Sequence, residues 1–398
     1  MTLKFMTAGE SHGPAVTAIL EGIPAGLKLD VSRVDVELAR RQKGFGAGGR
    51  MKIERDKVRI LSGIMDGETI GMPISLLVEN LNHKQWEGKE IDPMTAPRPG
   101  HADLTGAVKY GYKDLRPSLE RASARETTMR VAVGAICKQF LAEFGIVVGG
   151  YVRSIGQVDA QLNGSKYKDR FETAEKNDLR CPDVHATEMM RAAIQQTIQE
   201  KNTLGGVIEI IALNVPIGLG SFAQWDTRLE AKLAQAMMSV QAIKGVEIGD
   251  AFANARLSGT QAHDAIKSPS PVLGEGLGTR GILTRSTNRA GGIEGGISNG
   301  EPIIIRAAMK PIASTLTPQK TVDLASGKVC ETTYERSDFC PVPRAVPVLE
   351  AMTAFVLADA LIAKLGGDSL AEMLPRFEAL RKANLGDLKM DNQPHIFW

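Results

Sequence analysis

Short runs in which apolar and polar residues alternate fill much of the first hundred positions, and this period of two predicts β-strands. Gly22 and Pro24 close the second of these runs, because both residues disfavour a continuing strand. One helical stretch is predicted among them, at residues 32–42. The predicted strands are residues 3–8, 15–21, 58–62 and 73–79.

A first long helix is predicted from apolar residues spaced by three and four positions, which form one buried face. Ser123 and Glu126 form an S-x-x-E capping box and mark its start. Gly145 is expected to end it as a C-terminal cap. The buried face consists of Val133, Ile136, Cys137, Phe140, Leu141 and Phe144.

Further along, Asp226 is expected to cap a second helix that ends before Gly245. Residues 206–215 and 302–307 predict two more strands. Residues 346–365 are apolar on nearly every side, which is typical of a helix buried within a protein. The apolar stripe of the second helix is Leu229, Leu233, Met237, Val240 and Ile243.

The order of these elements favours an α+β fold, because strands and helices follow each other without strict βαβ alternation. The chain has 398 residues, of which 43% are hydrophobic, enough for one large or two ordinary domains. No change of composition marks a linker and no short repeat is present. We therefore expect residues 1–398 to form a single domain.

Composition excludes several classes of protein. A net charge of +2 is too small by itself to imply nucleic acid, and 5% aromatic residues are few for a single-strand binder. The four cysteines lack C-x-x-C spacing, which argues against a zinc site or a disulfide framework. No apolar run reaches the length of a membrane span and no signal peptide is evident. We expect a cytoplasmic protein with no membrane and no nucleic-acid partner.

The segment Gly9-Glu10-Ser11-His12-Gly13 admits two interpretations. It matches the G-x-S-x-G elbow of serine hydrolases, in which Ser11 would be the nucleophile and a helix would follow. However, Pro14 and a β-rich run come next, which predicts strand, turn and strand. The turn then presents His12, and imidazole is the side chain best suited to move a proton near neutral pH.

A glycine-rich loop with basic residues on both sides is a second candidate site. Residues 44–49 match G-x-G-x-x-G but follow a helix rather than a strand, which argues against a dinucleotide fingerprint. Arg40, Arg41, Lys43 and Arg50 flank this loop and predict an anion site, with a solvated basic face as the alternative.

His101 lies in the rigid turn of residues 98–103, ahead of several arginines. Arg121 and Arg125 fall at the capped start of the predicted helix, where backbone N–H groups favour an anion. Alternatively, these arginines pair with Glu126 along the helix. Arg336 and Asp338 precede the predicted buried helix. They either form a surface ion pair with each other or belong to a functional site.

Six segments in chain order resemble the chorismate synthase family, and together they run through nearly the whole chain. Jointly they are far more specific than the short glycine motifs taken singly. They are residues 9–13, 41–49, 98–103, 121–130, 287–292 and 336–338.

The resemblance implies a shikimate-pathway lyase that converts 5-enolpyruvylshikimate 3-phosphate to chorismate and phosphate by 1,4-anti elimination. It implies a requirement for reduced FMN without net redox change, with NADPH as the reductant in bifunctional relatives. It also implies a homotetramer whose subunits are β-α-β sandwiches, with long central helices packed between antiparallel sheets.

The resemblance also assigns residues. His12 matches the histidine that protonates the departing phosphate. His101 matches the histidine near N1 and O2 of the flavin, and Asp338 matches the aspartate that relays a proton from flavin N5. Four arginines match those that bind the substrate's phosphate and carboxylates: Arg41, Arg50, Arg125 and Arg336.

For FMN, the matching positions lie in five segments, and Arg41 also falls on a position recorded for NADP. Ala47 departs from the family, since many members carry an arginine there. Residues 310–314 depart from the commoner proline-threonine ending. The FMN positions are Arg121, Ala122, Ser123, Gln241, Ala242, Gly295, Lys310, Pro311, Ile312, Ala313, Ser314 and Arg336.

Overall fold

Two antiparallel sheets and the helices packed on them form the framework of the protein. The structure is a computed structural model that describes residues 2–47, 55–162, 164–267, 282–335, 337–384, 386–388 and 390–397. Its strands are β1 (Lys4–Ala8), β2 (Ala15–Glu21), β3 (Arg59–Ser62), β4 (Ile64–Met65), β5 (Glu68–Thr69), β6 (Ile74–Glu79), β7 (Val147–Ile155), β8 (Val158–Asp159), β9 (Gly206–Leu213), β10 (Ile243–Ile248), β11 (Ile266–Lys267), β12 (Thr284–Arg285), β13 (Ile293–Glu294), β14 (Ile297–Ser298), β15 (Ile303–Met309), β16 (Lys320–Val322) and β17 (Val329–Glu331).

Helices of very different length connect and cover these strands. Short 3-10 helices occur at Leu81–Gln85, Ala124–Glu126 and Trp225–Thr227. The α-helices are α1 (Val31–Gln42), α2 (Asp103–Tyr110), α3 (Arg116–Ala122), α4 (Thr127–Ala142), α5 (Tyr167–Glu175), α6 (Val184–Gln199), α7 (Leu229–Met238), α8 (Ala251–Asn254), α9 (Gly259–Ala262), α10 (Val342–Leu365) and α11 (Leu370–Glu378).

The first sheet has the strand order β1-β2-β6-β3, and the second has the order β10-β15-β9-β7-β8. In β2, Val16, Ala18 and Leu20 are buried while the residues between them are not, as the alternating sequence predicts. All pairings in both sheets are antiparallel. The mixed helix and sheet class predicted from the sequence is confirmed.

Helices α4 and α10 form the core of the molecule. Helix α4 packs against β1, β2 and β6 of the first sheet, and α10 packs against β7 and β9 of the second. The two helices also pack against each other, and they meet at Gly134, where an added Cβ would lie 2.2 Å from Cβ of Ala351. A glycine in a helix interior weakens it by about 1 kcal/mol relative to alanine. Here it permits the close contact of the two helices.

The apolar composition of α10 has its cause in this packing. At 24 residues, α10 is long and apolar enough to cross a membrane by length and composition alone, contrary to the expectation that no run reaches that length. Its most apolar window is 89% buried inside the protein. The core of the molecule, rather than lipid, therefore surrounds these side chains.

The predicted strands of the first hundred residues and the helix α1 are confirmed to within two residues. The strands β9 and β15 and the helix α10 are also found where the sequence predicts them. The strand β7 was missed, because Gly149 and Gly150 in its middle weaken the strand pattern. Both glycines are packed tightly: an added Cβ would lie 2.6 Å from the Phe171 ring and 2.4 Å from Ile210, respectively.

Two predicted helix caps were wrong. Ser123 accepts a hydrogen bond from the backbone of Arg125 and so caps a 3-10 turn, after which α4 begins at Thr127. The Glu126 carboxylate does not return to Ser123 but pairs with Arg130 at 2.9 Å.

The second error concerns the helix after Asp226. This residue lies in a 3-10 turn, and α7 begins only at Leu229 and ends at Met238. Ile243 and Gly245 belong to β10, which continues the second sheet. The turn between α7 and β10 contains Gln241 and Ala242.

Candidate active site

A cavity of about 670 Å³ lies where loops from several elements converge. This volume is within the usual range for a small-molecule or cofactor site. Arg125 and Pro341 on its wall immediately precede the first turns of α4 and α10. The amino-terminal ends of both helices carry partial positive charge and favour an anion. Predicted site residues on its wall are His12, Arg41, His101, Ala122, Ser123, Arg125, Gln241, Ala242, Lys310, Ile312, Ala313, Ser314 and Asp338.

The tight turn between β1 and β2 presents His12. Gly9 adopts a φ of +108°, and an added Cβ would lie 2.4 Å from the Ala15 carbonyl oxygen, so the turn requires glycine there. Nδ1 of His12 lies 2.7 Å from Oε1 of Glu120, and the ring packs 4.5 Å from that of Trp86. The imidazole is therefore held by a carboxylate on one side and an aromatic ring on another.

The hydrolase interpretation of this turn is not supported. Strand β2 follows the turn, where an elbow requires a helix. Ser11 is 2% exposed and its hydroxyl accepts a hydrogen bond from Ser123 at 3.1 Å. The His12 ring is bound to Glu120 rather than positioned as a base for Ser11.

The second histidine, His101, has its own carboxylate. Its Nδ1 lies 2.6 Å from Oδ1 of Asp103, and Arg98 donates to Asp103 from Nε at 2.8 Å and from Nη2 at 2.9 Å. Burial raises the pKa of Asp103, but the hydrogen bonds from Arg98 and His101 outweigh burial and hold it well below its usual range. Arg98 also donates to Ser314 and so connects this group to the far wall.

Two predicted substrate arginines share one buried aspartate. Arg125 Nη1 lies 2.6 Å from Oδ1 of Asp56, and Arg41 Nη2 lies 3.4 Å from Oδ2. Burial and the charges of Arg344 and Arg125 lower the pKa of Arg41 to about 9, while Asp56 opposes that shift. An anion bound beside Arg41 would offset the repulsion between these cations.

These contacts decide between the alternatives for the arginine segments. Arg40 and Arg41 are not a solvated basic face, since Arg41 is buried and Arg40 pairs with Glu37, Glu175 and Glu350. The arginines of residues 121–125 do not pair with Glu126 either. Arg121 lies in α3 and donates to Thr7, and Arg125 binds Asp56.

Asp338 lies in the loop before α10 and contacts Arg344 through its carboxylate. Arg344 also donates from Nε to the carbonyl oxygen of Arg41 at 3.1 Å. Asp338 is thus tied to a partly buried arginine of the cavity wall. Arg50 and Arg336 lie outside the described residues.

Comparison with known proteins agrees with this geometry. The chorismate synthase family model matches residues 3–362. The chorismate synthase of Sulfurihydrogenibium sp. (strain YO3AOP1) is 50% identical over 393 residues, covering 96% of this chain and 98% of that protein. That of Aquifex aeolicus (strain VF5) is 49% identical and covers 94% and 96%. The chain belongs to the chorismate synthase family.

A crystal structure of chorismate synthase matches the fold with a TM-score of 0.76 at 44% identity, covering 95% of this chain and 97% of that chain. Membership of the chorismate synthase family makes the protein an enzyme of the lyase class, in the shikimate-pathway formation of chorismate. The family is known to use reduced flavin. The cavity is accordingly a candidate site for both a flavin and an anionic substrate.

The positions assigned to flavin by family resemblance divide into two groups. Most of them lie on the cavity wall. Oε1 of Gln241, a flavin position, and Nε of Arg41, a substrate position, are buried without a hydrogen-bond partner among the described residues. Arg121 lines a neighbouring cavity of about 430 Å³ that shares Gln241. Pro311 is adjacent to wall residues, and Gly295 lies in the turn between β13 and β14, away from the wall.

Several wall residues and their partners were not found from the sequence. Four residues each contact a predicted site residue that is distant in sequence: Glu120, Trp86, Asp56 and Arg344. No local motif marks these residues, since the neighbours of each in the sequence give no sign of the distant residue that it contacts. Arg98 had a readable signal, because it begins the turn that holds His101.

Proposed function

We propose that the protein converts 5-enolpyruvylshikimate 3-phosphate to chorismate and phosphate by 1,4-anti elimination, with reduced FMN as cofactor and no net redox change. The observation that carries this proposal is one cavity bordered by His12, His101, Asp338, Arg41 and Arg125. Two imidazoles, a carboxylate and paired guanidiniums suit a reaction that expels phosphate and removes a proton.

The substrate carries a phosphate and two carboxylates, so several cations are needed to bind it without leaving unpaired charge. Arg41 and Arg125 supply two guanidiniums, of which Asp56 balances one charge. The first turns of α4 and α10 add partial positive charge. Arg50 and Arg336 complete the proposed set on the strength of the family resemblance.

His12 is the proposed acid for the departing phosphate. Since its Nδ1 is bound to Glu120, Nε2 is the ring nitrogen left for a ligand, and no described residue lies within hydrogen-bonding distance of it. A proton donated from Nε2 stabilises the negative charge that develops as the C–O bond breaks. General acid catalysis of this kind contributes about 10²- to 10⁴-fold in rate.

The cavity also fits a flavin. Its volume is suitable, and the unpartnered Gln241 Oε1 and Arg41 Nε leave an acceptor and a donor for a polar ring system. When bound, reduced FMN would supply electron density for the elimination and a basic position for the proton of the substrate's C–H bond. His101 and Asp338 are proposed to hold protons beside the cofactor. Asp103, which Arg98 binds, fixes the His101 ring, and Arg344 holds Asp338.

The wider proposal follows from the family. Residues 1–398 form a single domain, and the subunit is a cytoplasmic homotetramer that makes no membrane or nucleic-acid contact. The packing of α4 on the first sheet and of α10 on the second supports a β-α-β sandwich with central helices. NADPH is proposed as the source of electrons for the flavin, with Arg41 as the position assigned to it.

One anaerobic experiment tests this function. The protein is mixed with dithionite-reduced FMN and the enolpyruvyl substrate, and chorismate absorbance and released phosphate are followed together. We expect both products in equal amounts, and no product from flavin-loaded protein would refute the assignment. In a second arm NADPH replaces dithionite, and product there assigns flavin reduction to this chain rather than to a separate enzyme.

A further inference from the structure

Glu120 of α3 binds the turn that carries His12 at three points. Its backbone carbonyl accepts from the Ser11 N–H at 3.3 Å, and Oε2 accepts from the His12 N–H at 2.8 Å. Oε1 lies 2.7 Å from Nδ1 of the His12 ring. One side chain thus fixes both the backbone and the imidazole of His12.

We propose that Glu120 is the positioning residue of His12, whose carboxylate fixes the Nδ1–H tautomer and leaves Nε2 as the reactive nitrogen of the cavity. This inference rests on the proposed function, in which His12 is the acid. Nothing in the local sequence marks Glu120, since it lies within the short helix α3, far from the turn it holds.

The chemistry of the carboxylate determines the tautomer. An ionised carboxylate only accepts hydrogen bonds, so a nitrogen 2.7 Å away must carry the hydrogen. Burial raises the pKa of Glu120, but the hydrogen bonds from His12 outweigh burial and lower it, which keeps the group ionised. A carboxylate that holds the far nitrogen of a catalytic imidazole both orients the ring and stabilises the imidazolium.

Two further contacts restrict the ring and its backbone. The Trp86 ring packs against the His12 imidazole, and His83 donates from Nδ1 to the His12 carbonyl oxygen at 2.8 Å. The His12 backbone is therefore bonded at both its N–H and its C=O. Rotation of the ring away from the cavity would break the bond to Glu120 and the contact with Trp86.

The carboxylates that hold the two histidines of the cavity differ in their other partners. Asp103 behind His101 is bound by two nitrogens of Arg98, so a guanidinium balances its charge. Among the described residues, no arginine or lysine forms a salt bridge with Glu120. The negative charge of Glu120 therefore acts on the His12 ring, which suits His12 to be the acid.

Other ionisable groups lie around this pair and enter any pH profile. Arg116, one turn earlier in α3, acts on Glu120 by charge. His83 contributes from the Leu81–Gln85 helix, and Glu10 shares the turn with His12. None of them contacts the His12 ring nitrogens.

The test measures the tautomer directly by ¹⁵N NMR of protein with labelled histidines, titrated from pH 6 to pH 9. The His12 signals are assigned by their loss in His12→Ala. We expect a neutral ring protonated at Nδ1 in the parent protein, and a shift towards the Nε2–H form in Glu120→Gln and Glu120→Ala. An Nε2–H ring in the parent protein, or an unchanged ring in both variants, overturns the proposal.

Kinetics of the flavin-loaded enzyme give a second measurement. Because the carboxylate stabilises a protonated ring, we expect Glu120→Gln to move the alkaline limb of the kcat profile to lower pH by about one unit and to lower kcat about tenfold or more, with KM little changed. A merely structural role would lower kcat equally at every pH. Glu87→Gln, an exposed carboxylate of the neighbouring loop, is the matched control and should match the parent.

Different results would refute the role of His12 as the acid and the role of Glu120 as its positioning residue. Full activity of His12→Ala refutes the proposed acid, whatever the tautomer of His12. An inactive His12→Ala together with an unchanged tautomer and pH limb in the Glu120 variants refutes only the positioning role.

Discussion

Asp56 binds Arg125 through a contact of 2.6 Å between Oδ1 and Nη1, and both side chains are buried. The second oxygen of the same carboxylate faces Arg41. The protein itself thus holds in place two arginines that are predicted to bind the substrate. The single negative charge of Asp56 balances one of their two positive charges. Preorganised charge of this kind acts on a bound anion without further rearrangement.

Replacing Asp56 by asparagine should destabilise the protein and weaken the site together. The variant removes the carboxylate that both Arg41 and Arg125 bind, and removing one partner of a buried pair destabilises by about 3 kcal/mol or more. Urea unfolding measures this free energy. Asp35→Asn is the control and should lose much less, because the Asp35 carboxylate accepts from the Val58 N–H and forms no salt bridge among the described residues. Equal stability of Asp56→Asn and the parent would contradict the account.

A second prediction concerns Arg344, which contacts the Asp338 carboxylate and the Arg41 carbonyl. Arg344→Gln should lower kcat at least about tenfold, because Asp338 loses an ion pair that orients its carboxylate. Reduced FMN should still bind, since neither Arg344 nor Asp338 is among the positions assigned to FMN binding. Arg344→Lys keeps the charge but not the two-point contact, and we expect it to recover only part of the activity. Parent-like turnover by Arg344→Gln would remove Arg344 from the site.

Stability in acid should depend on Glu350, which is 1% exposed between Arg40 and Lys138. Burial raises its pKa, but the two cations outweigh burial and lower it from 4.5 to about 2. The unfolded chain therefore binds a proton first, so this stabilisation is complete above about pH 4.5 and is lost as pH falls towards 2. Urea unfolding of the parent and Glu350→Gln from pH 6 to pH 3 checks this. The difference between their free energies should shrink at low pH, and a constant difference would contradict the pairing.

Ser11 should not react as a nucleophile. Its hydroxyl is buried and bonded to Ser123, and the neighbouring imidazole is held by Glu120. A fluorophosphonate probe should leave Ser11 unlabelled in active protein, as mass spectrometry of the peptide containing it would show. Labelling at Ser11 would revive the hydrolase interpretation.

The sequence predicts the elements whose patterns are local. The alternation in β2 and the buried face of α4 identify both elements, because each repeat reflects one buried side. The turn with Gly9 and His12 is also readable, since glycine and proline set its form. The motif segments that resemble the family supply half of the residues that line the cavity.

What sequence reasoning missed depends on contacts between distant segments. Glu120 meets His12 across 108 positions and Asp56 meets Arg125 across 69. Neither partner is implied by its neighbours in the chain. Strand β7 was hidden for a related reason, since its glycines are explained only by the side chains packed on them. By contrast, α6 had a readable start, because Asp183 caps it by accepting from the Ala186 N–H.

His12 as the proton donor to the departing phosphate is tested most directly by anaerobic turnover of His12→Ala. The variant is loaded with reduced FMN, flavin binding is measured by absorbance, and phosphate release is followed after substrate is added. We predict normal flavin binding and a rate at least about tenfold below the parent. His185→Ala, which alters an exposed histidine of α6, should match the parent. Parent-like phosphate release by flavin-loaded His12→Ala would contradict the account.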